Sequence, residues 1–261
     1  MIDHPAFSIE PWSLRETELR TDVLAQTESL FALSNGHIGV RANLDEGEPH
    51  GLPGTYLNSV YELRPLPYAE AGFGYPESGQ TVINVTNGKL IRLLVDDEPF
   101  DIRYGDLHSH ERILDFRAGT LRRTVRWTSP AGRTVIVRST RLVSFTHRSV
   151  LAVAYEVEAV DEAVRLVVQS ELVTNEQLPA QEADPRVAAA LDCPLVALDN
   201  HASDALVSLV HATRRSGLLV STSMDHVVQA PDDAQAELSS ESAPDCGRVT
   251  VTARLRPGQR L

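Results

Sequence analysis

The sequence predicts a mainly β fold: a large antiparallel β-sandwich, a super-sandwich in size, with little helix. Three observations carry this. Short apolar runs alternate with polar residues at period two along most of the chain. Clusters of Gly, Pro, Asn, Asp and Ser separate them and supply turn chemistry. Helical periodicity is nearly absent. With 261 residues the chain is long enough to bury a sizeable core, and residues 1–261 read as a single domain.

The elements follow in order. In "LFALSNGHIGVR", Asn35-Gly36 is the strongest short hairpin signal, because a type I′ turn needs positive φ at both central residues. That turn would place Leu33 opposite Ile38 and Phe31 opposite Val40, with both pairs apolar. "RLLVDDEPFDIRY" (92–104) reads as a strand, an acidic turn and a second strand. In "TLRRTVRWTSPAGRTVIVRSTRLVSF" (120–145), Leu121, Val125 and Trp127 share one face, with Arg123 as the exception on it. Ser129-Pro130-Ala131-Gly132 then turns the chain into Val135 and Val137. The runs 149–160 and 163–172 are separated only by Asp161-Glu162, so they are expected to pair with each other. Further strands are expected at 217–224 and 248–255, a short helix at Asp184–Asp192, a loop excursion from Val173 to Leu206, and an exposed acidic loop from Ala230 to Gly247.

Charge and composition exclude some classes. The formal net charge is −12, the wrong sign for nucleic acid or an anionic membrane as main partner. No apolar run approaches the length of a membrane span, and "MIDHPAFSIEPW" lacks the basic start and apolar core of a signal peptide. Two distant cysteines, Cys193 and Cys246, read as free thiols in a reducing, cytoplasmic setting.

After the expected hairpin comes "RANLDEGEPHGLPGTYLNSVYE" (41–62), rich in polar groups and broken by Gly and Pro. Polar residues on loops held by a rigid sheet are where sites are often built, which singles out Arg41, Asn43, Glu46, Tyr56 and Asn58. A solvated loop is the plainer alternative.

The segments "PWSLRE", "TESLFALSNGHIGVRANLDEG", "GTYLNSVYE", "INVTNGKLIRLLVDDEPFDI", "RILDFRAGTLRRTVRWTSPAGRTVIVRSTRLVS" and "SVLAVAYEV" resemble, as one ordered pattern, the N-terminal domain of glycoside hydrolase family 65. Two departures stand out: Arg41-Ala42-Asn43 where the family usually has Arg-Gly-Asn, and Asn58-Ser59 where it often has Asn-Gly. The resemblance implies a β-sandwich truncated before a helical linker and an (α/α)6-barrel catalytic domain. It implies that the parent enzyme inverts the anomeric centre of trehalose, maltose or kojibiose, using inorganic phosphate or water as acceptor and no other cofactor. The family's general acid and phosphate-binding groups sit in the barrel, so no catalytic residue is assigned to this chain. The expected partners are that barrel, an α-linked glucose disaccharide in the parent enzyme, and a second copy in a homodimer. Arg41, Asn43, Glu46, Tyr56 and Asn58 become candidate contacts with the barrel or the rim of its active site.

Other chemistries are weakly signalled. His108 and His110 in "LHSHE" would share a strand face, but nothing completes a zinc site, so no metal is expected and both histidines read as exposed. A stand-alone carbohydrate-binding module is the alternative function. Aromatic residues are only 5%, and both Trp12 and Trp127 read as packing residues. The Gly-rich stretch holding Tyr68, Phe73 and Tyr75 reads as a cover for a neighbouring domain.

Overall fold

A computed structural model describes residues 7–49, 51–66, 73–74, 76–176 and 191–261. In chain order the strands are β1 (Phe7–Glu10), β2 (Ser13–Glu16), β3 (Leu33–Ser34), β4 (Ile38–Val40), β5 (Thr55–Leu57), β6 (Tyr61–Pro65), β7 (Ser78–Val82), β8 (Asn87–Val95), β9 (Glu98–Pro99), β10 (Asp106–Asp115), β11 (Thr120–Thr128), β12 (Thr134–Val143), β13 (Leu151–Ala159), β14 (Val164–Val173), β15 (Leu195–Ser203), β16 (Leu206–Thr213), β17 (Leu219–Met224), β18 (Glu237–Ala243) and β19 (Cys246–Leu255). A 3-10 turn at Thr21–Val23 leads into one short helix, α1 (Leu24–Leu30). No helix among the described residues is long and apolar enough to cross a membrane.

All strand pairing is antiparallel. A six-stranded sheet runs β1-β2-β10-β11-β12-β13, and a five-stranded sheet runs β18-β19-β14-β8-β9. Their inner faces meet in the main core, where Val125, Trp127, Val135, Val137, Val157 and Ala159 pack against Leu93, Val95, Val164, Leu166, Ala253 and Leu255. Trp127 is fully buried and donates its Nε1–H to the Tyr104 carbonyl at 2.6 Å, which satisfies its polar edge. The same face of the five-stranded sheet continues past this core. Leu172 and Val249 there pack on Val207 and Leu209 of the three-stranded sheet β15-β16-β17. The other end of the six-stranded sheet packs Leu114, Leu121 and Val143 on Phe31, Leu33, Ile38 and Val40. The expected β-sandwich is therefore present, with one long sheet facing two partners.

Several local expectations give way to packing. The Asn35-Gly36 turn is wider than type I′: Leu33 faces Val40 and Ser34 faces Gly39, a register shift of two. Gly36 has φ 82, while Asn35 uses its side chain instead. Its Oδ1 accepts the N–H groups of His37 (2.9 Å) and Ile38 (2.8 Å), and its Nδ2 donates to the carbonyls of Ser144 (2.6 Å) and Arg148 (2.9 Å). Phe31 lies at the end of α1, not on a strand. The two-residue turn with positive φ at both positions occurs instead at Asp96 (φ 49) and Asp97 (φ 69), between β8 and β9.

Strands β13 and β14 do not pair with each other. Each has one strongly apolar face, and the short link folds them face to face across the main core, so they belong to different sheets. The 230–247 segment contains β18, an edge strand whose polar, exposed residues disguised it as a loop. β15 likewise lies inside the expected 173–206 excursion. The helix expected at Asp184–Asp192 lies almost wholly outside the described residues, as do Tyr68 and Tyr75. Trp12 is not a packing residue: it is 58% exposed, and the Arg117 guanidinium lies 5.2 Å from its ring centre. A β-bulge at His108 separates the two histidines, so His108 stays exposed while His110 is buried.

Ser59, at the turn after β5, has φ 70, a left-handed conformation that disfavours a side chain. The glycine that the resemblance implies at this place would thus have a backbone reason. Ser59→Gly is expected to stabilise the domain by about 0.5–1 kcal/mol, read as a higher thermal midpoint; an unchanged or lower midpoint counts against the strain.

A buried charge belt closed by the 41–54 strap

The inner face of the six-stranded sheet carries a polar belt between its two apolar ends. Strand register places Glu16, Arg112, Arg123, Ser139 and Tyr155 directly opposite one another across β2, β10, β11, β12 and β13. Arg141 sits one inward-facing position further along β12. All three arginines are buried. Burying a guanidinium is strongly unfavourable unless a carboxylate and hydrogen bonds accompany it.

The 41–54 segment supplies those carboxylates. Asp45 is 1% exposed. Its Oδ1 accepts Arg141 Nη2 (2.6 Å) and Nε (3.1 Å), and its Oδ2 accepts Ser139 Oγ (2.7 Å) and Arg123 Nη1 (3.2 Å). Glu46 takes the Arg123 fork with both oxygens, at 2.5 Å to Nη1 and 2.7 Å to Nη2. Burial alone would raise the Asp45 carboxyl, but Arg141, Arg123 and Ser139 outweigh it and hold the pKa below the usual range. Arg123 is shifted the other way: burial opposes its charge, and Glu46 and Asp45 more than offset that. Its Nε donates to His110 Nε2 at 3.2 Å, so the neutral imidazole carries its proton on Nδ1. Burial, with Arg123 and Arg112 nearby, pushes the His110 pKa down to about 2. At the far end of the belt, Arg112 donates to Glu16 (2.5 Å), the Ala42 carbonyl (3.1 Å) and Thr27 Oγ1 (3.1 Å), and lies over the Phe31 ring.

Each end of the strap is pinned. At its start, Arg41 donates to Ser29 Oγ (2.6 Å) and the Ala25 carbonyl (2.5 Å) of α1. In its middle, the Ile91 N–H donates to the Asp45 carbonyl (2.7 Å), which covers the edge of β8. Gly47, with φ 84, turns the chain back. On the return, the fully buried Glu28 carboxylate accepts the N–H groups of Gly51 (3.0 Å) and Leu52 (3.1 Å). A Cβ on Gly51 would lie 2.6 Å from Ala25 Cα, so only glycine allows this approach. Finally, buried Lys89 on β8 donates to the Gly54 carbonyl (3.2 Å), Thr55 Oγ1 (2.7 Å) and Asn87 Oδ1 (2.8 Å).

The five sequence candidates thus separate. Glu46 is turned inward and locked to Arg123, so it is not available as a contact on the rim. Arg41 lines a shallow, mostly apolar groove of about 530 Å³ together with Phe7, Val23, Leu30 and Leu52. Asn43 is half-buried behind that groove and donates to the Leu52 carbonyl at 2.8 Å. Tyr56, half-buried on β5, and exposed Asn58 lie away from the groove, beside the β3–β4 turn, where the Asn58 N–H meets the His37 carbonyl at 2.8 Å. The residues that organise the region and that the loop reading passed over are Asp45, Arg112, Arg141 and Lys89. For Arg112, Arg141 and Lys89 the sequence signal was a charged residue at an inward-facing strand position, the same signal Arg123 gave; Asp45, in the turn of the strap, carried no such signal.

Chemically, the belt is spent on itself. Its three carboxylates, Glu16, Asp45 and Glu46, are enclosed and paired with arginine, so none is placed to protonate or attack a substrate. Among the described residues no group of three or more His, Cys, Asp and Glu is arranged to hold a metal ion.

Lys89 gives the belt a pH signature. Burial, and secondarily Arg141, lowers its pKa from 10.5 to about 7. Between about pH 7 and 10.4 the unfolded chain then holds a proton that the folded chain has lost, so this residue makes stability rise with pH across that window. Urea unfolding at pH 6, 8 and 9 is expected to show that rise in the native chain and a flatter profile in Lys89→Met. Equal slopes in both would contradict the assignment.

The fold has a close relative among solved structures, a putative kojibiose phosphorylase from the human microbiome. It superposes with a TM-score of 0.84 at 21% identity, over 98% of this chain and 32% of that one. An uncharacterised glycosyl hydrolase of Mycobacterium tuberculosis (H37Rv) is 62% identical over all of this chain and 33% of its own length. The α,α-trehalose phosphorylase of Thermoanaerobacter brockii is 30% identical over 97% of this chain and 33% of its own. The chain therefore spans about a third of the length of these relatives. The model of the glycosyl hydrolase family 65 N-terminal domain matches residues 14–261, and the chain belongs to that family.

Proposed function

We propose that this chain is the non-catalytic N-terminal domain of an inverting α-glucosidic disaccharide phosphorylase or hydrolase of the cytoplasm, acting on a trehalose-, maltose- or kojibiose-type substrate. In this reading it supports the catalytic barrel and a homodimer; Arg41 and Asn43 by the groove, and Tyr56 and Asn58 beside the β3–β4 turn, are two separate candidate contacts with the barrel or the rim of its active site. Inorganic phosphate would be a co-substrate bound by the barrel.

One observation carries the reading. The acidic loop that most resembles a sugar site in sequence has its two central carboxylates, Asp45 and Glu46, sealed against Arg123 and Arg141. An inverting glycosidase needs an acid free to protonate the leaving oxygen, and a second carboxylate or phosphate on the opposite face. The belt offers neither, so the chemistry falls to the part of the longer protein beyond this domain. The trehalose, maltose and kojibiose phosphorylases among the relatives support a substrate of that type.

A carbohydrate-binding role has one observation in its favour, the exposed Trp12 with Phe116 in the adjacent turn. Arg117 stacked on the Trp12 ring weakens it by occupying a face that a sugar would use. The 261-residue chain is expected to release no glucose or glucose phosphate from trehalose, maltose or kojibiose, with or without phosphate, and to give no heat of binding with them at millimolar concentration. Turnover would overturn the reading, and binding that is lost in Trp12→Ala would favour the module.

A further inference from the structure

Strand β13 ends the six-stranded sheet, and its outer edge is only half covered. The chain reaches that edge after β19 and begins to pair with it. Val157 and Leu261 exchange N–H···O bonds of 3.0 Å in both directions, Ala159 N–H donates to the Gln259 carbonyl at 3.1 Å, and Arg260 stands opposite Glu158. The Arg260 side chain adds an ion pair to Glu158 at 3.1 Å.

The strand period carries this geometry down the edge. Because the N–H groups of Val157 and Ala159 point outward, those of Tyr155, Val153 and Leu151 do too. Among the described residues these three have no backbone partner on that side. The side chains of Leu151, Val153 and Tyr155 face inward yet are only half-buried. The stretch between them, Leu-Ala-Val-Ala-Tyr, has no charge, no proline and no bulge. Exposed edges are normally protected by one of those devices, because an unprotected one templates pairing with another chain.

We infer that this edge is an acceptor for a further antiparallel strand, donated by the chain that follows Leu261 in the longer protein. About six residues beyond Leu261, in the register already set by Arg260 and Glu158, would run back along β13 to Leu151. A strand contiguous with residues 259–261 pays almost no loop-closure entropy, unlike a second molecule. The relatives, which match this chain from end to end and are about three times its length, supply the chain for it. The inference rests on reading this chain as one domain of a longer protein. Its consequence is mechanical: the catalytic part would be tethered through a strand built into the sandwich, not through a free linker.

Hydrogen exchange resolved to single amides tests it, comparing the 261-residue chain with the full-length protein. The amides of Leu151, Val153 and Tyr155 are expected to exchange rapidly in the shorter chain and about a hundredfold or more slowly in the longer one. Equal rates in both would overturn the inference. So would protection that appears in the shorter chain as its concentration rises, because the edge would then belong to a second copy. Val153→Pro removes one outward N–H; it should lower the thermal midpoint of the full-length protein more than that of the shorter chain, and equal losses would count against the added strand. Glucose release by the 261-residue chain would sink the proposed function and leave this pairing intact.

Discussion

The pairing of Arg123 with Glu46 and Asp45 is the interaction on which the rest of the structure depends. A six-stranded sheet with two apolar ends can bury both only if something occupies the polar row between them. Three arginines from three adjacent strands lie in or next to that row, and their buried charges are tolerable only with carboxylates beside them. Glu16 answers Arg112 from within the same sheet. Asp45 and Glu46 come from the strap, which is therefore held in place by the belt it neutralises. The strap in turn covers the β8 edge and meets α1 through Arg41 and Glu28. Helix, strap and both large sheets converge on one set of charges.

Much of the fold was legible in the sequence. Period-two alternation marked β11, β12, β13 and β19, a short apolar run marked β8, and the alternation at 120–145 even exposed Arg123 as an inward-facing charge. The misread segments fail for identifiable reasons. β18 is a polar edge strand whose residues are mostly exposed, so it lacks an apolar signature; β15, also at an edge, opens on Leu195-Val196-Ala197-Leu198 but leaves most of its residues exposed or half-buried. The β13–β14 link is as short as a hairpin loop, yet facing apolar surfaces favour an arch between sheets over pairing within one. The Asn35-Gly36 turn obeys a distant demand, since the Asn35 side chain also holds the carbonyls of Ser144 and Arg148. Local turn propensity cannot register a partner more than a hundred residues away.

The candidate site was legible in location but not in kind. An acidic loop rich in Gly and Pro has the composition of a binding surface. What distinguishes a surface from a plug is whether its carboxylates meet solvent or arginine, and that depends on inward-facing residues of other strands. Once Arg123 and Arg141 are seen on the facing sheet, Asp45 and Glu46 are assigned to structure. The remaining polar residues, Arg41 and Asn43, are left beside the groove between α1 and Leu52. The region is thus densely hydrogen-bonded within and offers a shallow groove at its surface.

A double-mutant cycle on Glu46 and Arg123 tests the central account most directly, with unfolding free energy as the readout. Each single methionine substitution leaves an uncompensated buried charge and is expected to cost about 3–5 kcal/mol. The double substitution removes both charges and should cost far less than the sum, with a coupling of about 2 kcal/mol or more. Additive losses, or singles below about 1 kcal/mol, would contradict the claim that this pair holds the belt together.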